Sequence, residues 1–128
     1  MKINLTSVPV EDQAKALNFY TEKLGFSKKE DVAMGEYRWL TITAPQGTQD
    51  VEVLLEPLGF APAKTFQKEL YEAGIPFTSF GTDNMDIEVQ RLKENGVVFK
   101  SEPKVMGDVK AAMFDDTCGN IICLTQKL

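Results

Sequence analysis

A chain of 128 residues has room for one domain with a sizeable core and is too short for two ordinary ones. Its 43% apolar and 26% charged content is that of a globular protein, while a net charge of −5 with only two arginines, Arg38 and Arg91, argues against a nucleic-acid partner, which needs concentrated Lys and Arg. There is no histidine at all, which excludes Ser-His-Asp and Cys-His catalysis and any His-ligated zinc or iron centre.

In chain order, "KINLTSVPV" is rich in β-branched residues and predicts a strand. The opening "MKINLTSVPVEDQ" turns polar too soon for a signal peptide, and no run of 18 apolar residues follows, so a cytoplasmic protein without a membrane partner is expected. Asp12 is a good N-cap for a helix through about Leu24, with Leu17, Tyr20 and Leu24 on one stripe; Gly25 and Phe26 end it. "YRWLTITAP" and "VEVLLEP" read as strands joined by the turn "QGTQD". A connecting helix over about 62–74 follows, with Ala63, Phe66, Leu70 and Ala73 on one stripe.

The same order then recurs. "PFTSFGT" predicts a strand, Asp83 or Asn84 caps a helix carrying Met85, Val89 and Leu92, and "NGVVF" ends it at Gly96. "VKAAMFDD" and "IICLTQ" are strands around the turn "TCGN". Asp12 to Gly25 and Asp83 to Gly96 are both thirteen residues apart. Cys118 and Cys123 have no zinc or redox spacing and are expected to be reduced thiols.

Two βαβββ units imply an α+β fold: module one over about 1–57 and module two over about 76–128, each a four-stranded sheet with its helix on the outer face, the sheets curving around a common cleft. A module alone cannot cover both faces of its sheet, so 1–128 is read as one domain. Strand alternation assigns the cleft face. Leu5 and Ser7 face inward on the first strand, Trp39, Thr41 and Thr43 on "RWLTITAP", and Glu52, Leu54 and Glu56 on "VEVLLEP". In module two, Phe77, Ser79, Ile121, Cys123 and Thr125 face inward. Apolar walls with a few hydroxyls, a thiol and carboxylates make a small-molecule pocket or a filled-in core. Cys123 reads either as packing or as a thiol that touches ligand, and Glu52 either as a ligand contact or as the partner of a lysine.

The segments "VPVEDQAKALNFYTEKLGF", "RWLTITAPQG", "VEVLLEP" and "FDDTCGNIICL" resemble the vicinal oxygen chelate superfamily, which includes glyoxalase I, extradiol dioxygenases and bleomycin-resistance proteins. The resemblance implies a cleft with one divalent cation held by ligands on the first and last strand of each module. Carried onto this chain, those positions read Leu5, Glu52, Phe77 and Cys123, so the site looks dismantled. The expectation is a metal-free and cofactor-free small-molecule binding protein and, by resemblance, a homodimer. Two alternatives stand beside it: a metal-dependent lyase or dioxygenase with an Mg or Mn site built from carboxylates such as Glu52, Glu56 and Asp116, or a metal-free enzyme with Glu52 as general base and Cys123 as nucleophile or acid.

Overall fold

The structure, a computed structural model, describes residues 1–128. Asp12 takes extended backbone and accepts the amide of Lys15 at 3.0 Å, starting helix α1 at Gln13–Asn18, which continues as a π-helical turn over Phe19–Lys23. In module two the cap is Asn84, accepting the amide of Ile87, ahead of helix α3 (Met85–Glu94). Asp83 is therefore not the cap, and the two cap-to-glycine spacings differ by one residue.

Module one comprises β1 (Leu5–Val10), α1, β2 (Ser27–Met34), β3 (Tyr37–Thr43) and β4 (Glu52–Pro57). Module two comprises β5 (Thr78–Gly81), α3, β6 (Phe99–Met106), β7 (Val109–Asp115) and β8 (Ile121–Lys127). The sheets run β1-β4-β3-β2 and β5-β8-β7-β6, with one parallel pair in each, and neither closes into a barrel. The repeat is regular: caps Asp12 and Asn84, and turn glycines Gly35 and Gly107, are each 72 positions apart.

Helices cover the convex faces, as alternation predicts. Val8, Val10, Leu40, Ile42 and Leu55 of the first sheet join Ala112, Phe114, Ile122 and Leu124 of the second in one continuous core. Tyr20, Phe19 and Ala16 from α1 and Met85, Val89 and Leu92 from α3 complete it. Burying each Val or Leu stabilises by about 1.5–3 kcal/mol, so the shared core ties the modules together.

The turn 115–120 adds a polar lock. Asp116, fully buried, accepts the Tyr20 hydroxyl at 2.6 Å, the Asn120 side chain at 2.7 Å and the amides of Cys118 and Asn120. Asn120 and Gln67 side chains both donate to the carbonyl of Pro9, at 2.7 and 2.8 Å. Gly119 is required here: its φ is +101°, and a Cβ would lie 2.8 Å from the Gln67 amide.

Gln67 also revises the connecting helix α2 (Ala61–Glu72). The stripe Ala63, Phe66, Leu70 and Ala73 does not supply its buried face; Gln67 is its buried residue, and Phe66 is 55% exposed. Pro9, Cys118 and Asn120 present acceptors that must be met, and a glutamine meets all three. No helix is long and apolar enough to cross a membrane.

Candidate functional site

The two concave faces are built by cross-strand pairs that point away from the core. On the first sheet, Leu5 pairs with Glu52, Ser7 with Leu54, and Thr41 with Leu54; Trp39 follows Thr41 on the same face. All eight module-one residues assigned to the cleft therefore share one face, Glu56 lying at its far end. On the second sheet, Ser79 pairs with Cys123, Cys123 with Met113, and Thr125 with Ala111. Phe77 sits just before β5, its amide bonded to the carbonyl of Ile121, and its ring packs edge-on against Phe66 of α2.

These surfaces are open in the single chain. Trp39 is 37% exposed, Ser7, Glu56 and Ser79 are exposed, and Leu5, Glu52, Phe77, Cys123 and Thr125 are half-buried. Thr41 and Leu54 are buried between their neighbours. Two cavities lie elsewhere: one of about 960 Å³ among Gln13, Arg38, Gln67 and Tyr71, another of about 500 Å³ among Phe26, Phe80, Arg91 and Leu92. Neither cavity is lined by any of the cleft residues, and module one's set and module two's set form two separate walls.

Sequence reasoning missed part of both walls. Val32 pairs with Trp39 and Met34 with Tyr37, so the β2–β3 hairpin adds an apolar patch in which Val32 and Met34 are more than half exposed. Val109, Ala111 and Met113 do the same on the second sheet. Continuing the alternation back from Trp39 to Tyr37, and along "VKAAM", would have found four of these.

Register also refines the comparison between modules. Ser7 and Thr41 both pair with Leu54, whereas Ser79 and Met113, each 72 positions later, both pair with Cys123. The internal counterpart of Cys123 is thus Leu54, and that of Glu52 is Ile121. The equivalence moves from Glu52 to Leu54 because the β3–β4 loop is three residues longer than its counterpart. The four positions then read Leu5, Leu54, Phe77 and Cys123, one thiol without a carboxylate. That set does not fit a divalent cation, which needs about four donors, and no three Cys, Asp or Glu side chains gather anywhere to hold one.

Glu52 itself is occupied. Its Oε1 accepts the Thr41 hydroxyl at 2.7 Å, and Oε2 lies 3.7 Å from the Lys29 ammonium. Asp116 belongs to the module junction, where burial raises its pKa, so it does not converge with Glu52 and Glu56. Burial also raises the Tyr20 pKa and pushes the Cys118 thiol up to about 12, leaving both inert.

Comparison with known proteins places the chain among relatives of this architecture. The profile of the Glyoxalase/Bleomycin resistance protein/Dioxygenase superfamily matches residues 2–124. The chain is 53% identical over 127 residues to the uncharacterised protein YurT of Bacillus subtilis (strain 168), covering 99% of this chain and all of that one. It is 29% identical over 125 residues to the mitochondrial methylmalonyl-CoA epimerase of Bos taurus, covering 94% and 71% of the two chains. The crystal structure of TnmS3, an antibiotic binding protein from Streptomyces sp. CB03234, superposes with a TM-score of 0.78 at 33% identity, covering 100% and 97%.

Proposed function

Because the chain belongs to the glyoxalase/bleomycin resistance protein/dioxygenase superfamily, we propose that it is a small-molecule binding protein that works without a metal. Its ligand lies against the concave faces, between the wall of Leu5, Ser7, Trp39, Thr41, Glu52, Leu54 and Glu56 and the wall of Phe77, Ser79, Cys123 and Thr125. The observation that carries the reading is the residue set at the four positions above: Leu5, Leu54 and Phe77 offer no donor atom, and Cys123 stands alone. The antibiotic binding relative supports a ligand-holding role for the same fold.

The reading includes a homodimer. The concave faces leave Trp39, Val32, Met34 and Met106 substantially exposed, and apolar surface of that kind is normally covered by a ligand or partner. In a dimer, the first sheet of one protomer faces the second sheet of its partner and the two walls close on the ligand. A cytoplasmic location completes the proposal.

A second reading, catalysis, draws on the epimerase relative and needs Glu52 as its base. Both oxygens of Glu52 are engaged by Thr41 and Lys29, which favours holding a ligand over moving a proton. Native mass spectrometry of the freshly purified protein tests the main reading. A dimer that releases a small organic molecule on denaturation is expected; a bare monomer that stays bare after incubation with cell extract would contradict it. Should turnover of any such molecule be found, Glu52→Gln abolishing it would support the base.

A further inference from the structure

The concave face of the first sheet is apolar along its middle and carries one basic side chain on its four strands. β1 and β4 contain no Lys or Arg. Lys28 pairs with the core-facing Ile42, and Arg38 reaches Asp31, which pairs with core-facing Leu40, so both lie on the convex side. Lys29 is the exception, and a backbone irregularity makes it so. The register of β2 shifts between Lys28 and Asp31, placing both Lys29 and Glu30 opposite Thr41.

Thr41, fully buried, organises the spot. Its Oγ1 accepts the amide of Glu30 at 3.1 Å and donates to Glu52 at 2.7 Å, which orients the other carboxylate oxygen toward Lys29. The ammonium is aligned but loosely held, 3.7 Å from Glu52 and 3.5 Å from the carbonyl of Gln49. Its donors remain available to an incoming group, and Glu52 offsets its charge only in part.

Module two has no such feature. The position 72 residues after Lys29 is Ser101, whose hydroxyl accepts the amide of Met113 at 3.1 Å, and the counterpart of Glu52 is Ile121. The basic side chains of the second wall, Lys104 opposite Ala111 and Lys127 opposite Val109, lie instead toward its β6–β7 turn.

We infer that Lys29, aligned by Thr41 and Glu52 at the β2 bulge, selects ligands that join an apolar or aromatic body to an anionic group such as a carboxylate or sulfonate. The inference rests on the cleft being the binding site. The body lies over Trp39, Val32 and Leu54, and the anion meets Lys29. Glu56 makes the opposite end of this wall acidic.

Two dyes that differ by a sulfonate test it: 1-anilinonaphthalene-8-sulfonate and neutral N-phenyl-1-naphthylamine. Trp39 is the only tryptophan, so quenching of its emission reports binding in the cleft. The expected result is that the sulfonate binds about fivefold more tightly than the neutral dye, with the advantage shrinking as salt is added. Lys29→Gln brings the ratio of the two constants to about one, and Lys29→Arg keeps it above one. Equal affinities in the unaltered protein, or a preference that survives Lys29→Gln, overturn the role of Lys29 while the cleft stands. Failure of both dyes to quench Trp39 overturns the cleft as well.

Discussion

The two sheets repeat one backbone plan and are sewn together differently. In the second sheet, β7 and β8 pair without a break from Val109 and Lys127 to Asp115 and Ile121. In the first, β3 and β4 pair at Thr41–Leu54 and Ile42–Val53, and then the side chain of Gln13 takes over. Its Nε2 donates to the carbonyls of Arg38 at 2.7 Å and Leu55 at 2.9 Å, and its Oε1 accepts the amide of Arg38 at 3.0 Å. The counterpart of Gln13 is Met85, apolar and fully buried, with its amide donating to Gln126. One residue type at the start of each helix thus decides whether a sheet is zipped or wedged, and the wedged sheet carries Trp39, Glu56 and the charged spot at Lys29. Pairing is local; a binding wall needs the sheet only where the ligand does not.

Gln13→Leu is the hardest blow to that contrast. It leaves the amide of Arg38 and two carbonyls without partners, and a loss of about 3 kcal/mol in urea unfolding is expected, with the emission of Trp39 altered in the folded state. Met85→Gln, the reciprocal change, buries an amide in an apolar site and should cost about 2 kcal/mol while Trp39 emission stays as it was. If the two variants perturb Trp39 alike, the wedge is not what distinguishes the sheets.

Tyr20→Phe probes the lock between modules. Asp116 keeps three donors, so a loss of about 1–2 kcal/mol is expected, with both sheets still unfolding in one transition. A second transition would show that the junction, and not the common core, unites the modules.

The smallest effects are in the pH response, where the two aspartates act in opposite directions. Asp31 beside Arg38 has a lowered pKa in the folded state, so its contribution is present above the unfolded value of about 3.9 and is lost as pH falls through the folded value. Asp116 has a raised pKa, set mainly by burial, so its charge costs stability at neutral pH, and that cost is relieved as pH falls through the raised value toward about 3.9. Unfolding free energies should therefore fall more steeply for Asp116→Asn between neutral pH and about pH 4, and less steeply for Asp31→Asn below about pH 4, than for the unaltered chain. Parallel curves for all three would remove both aspartates from the pH response.

How much of this was legible in the chain follows the range of the interactions. Strand alternation located the core faces of Val53, Leu55, Ile122 and Leu124 and the opposite faces of Glu52, Leu54 and Cys123, because a period of two is written in neighbouring residues. Asp12 was legible as a cap for the same reason. Gln67 was not: its burial answers acceptors on Pro9, Cys118 and Asn120, all more than fifty positions away. Gln13 replaces backbone bonds 25 and 42 positions distant, and nothing near it in sequence records that. Lys29 faces the cleft through a bulge, which shifts alternation by one, and the longer β3–β4 loop hid the equivalence of Leu54 with Cys123.

The central claim is that the hollow between these sheets holds its ligand without a cation. Its most direct test is the metal content of protein purified without chelator, read together with melting temperatures in added manganese, nickel, zinc and magnesium. The account predicts no ion at stoichiometric level and melting temperatures that stay where they were. One ion per chain, or a rise of several degrees with any of the four, would contradict it.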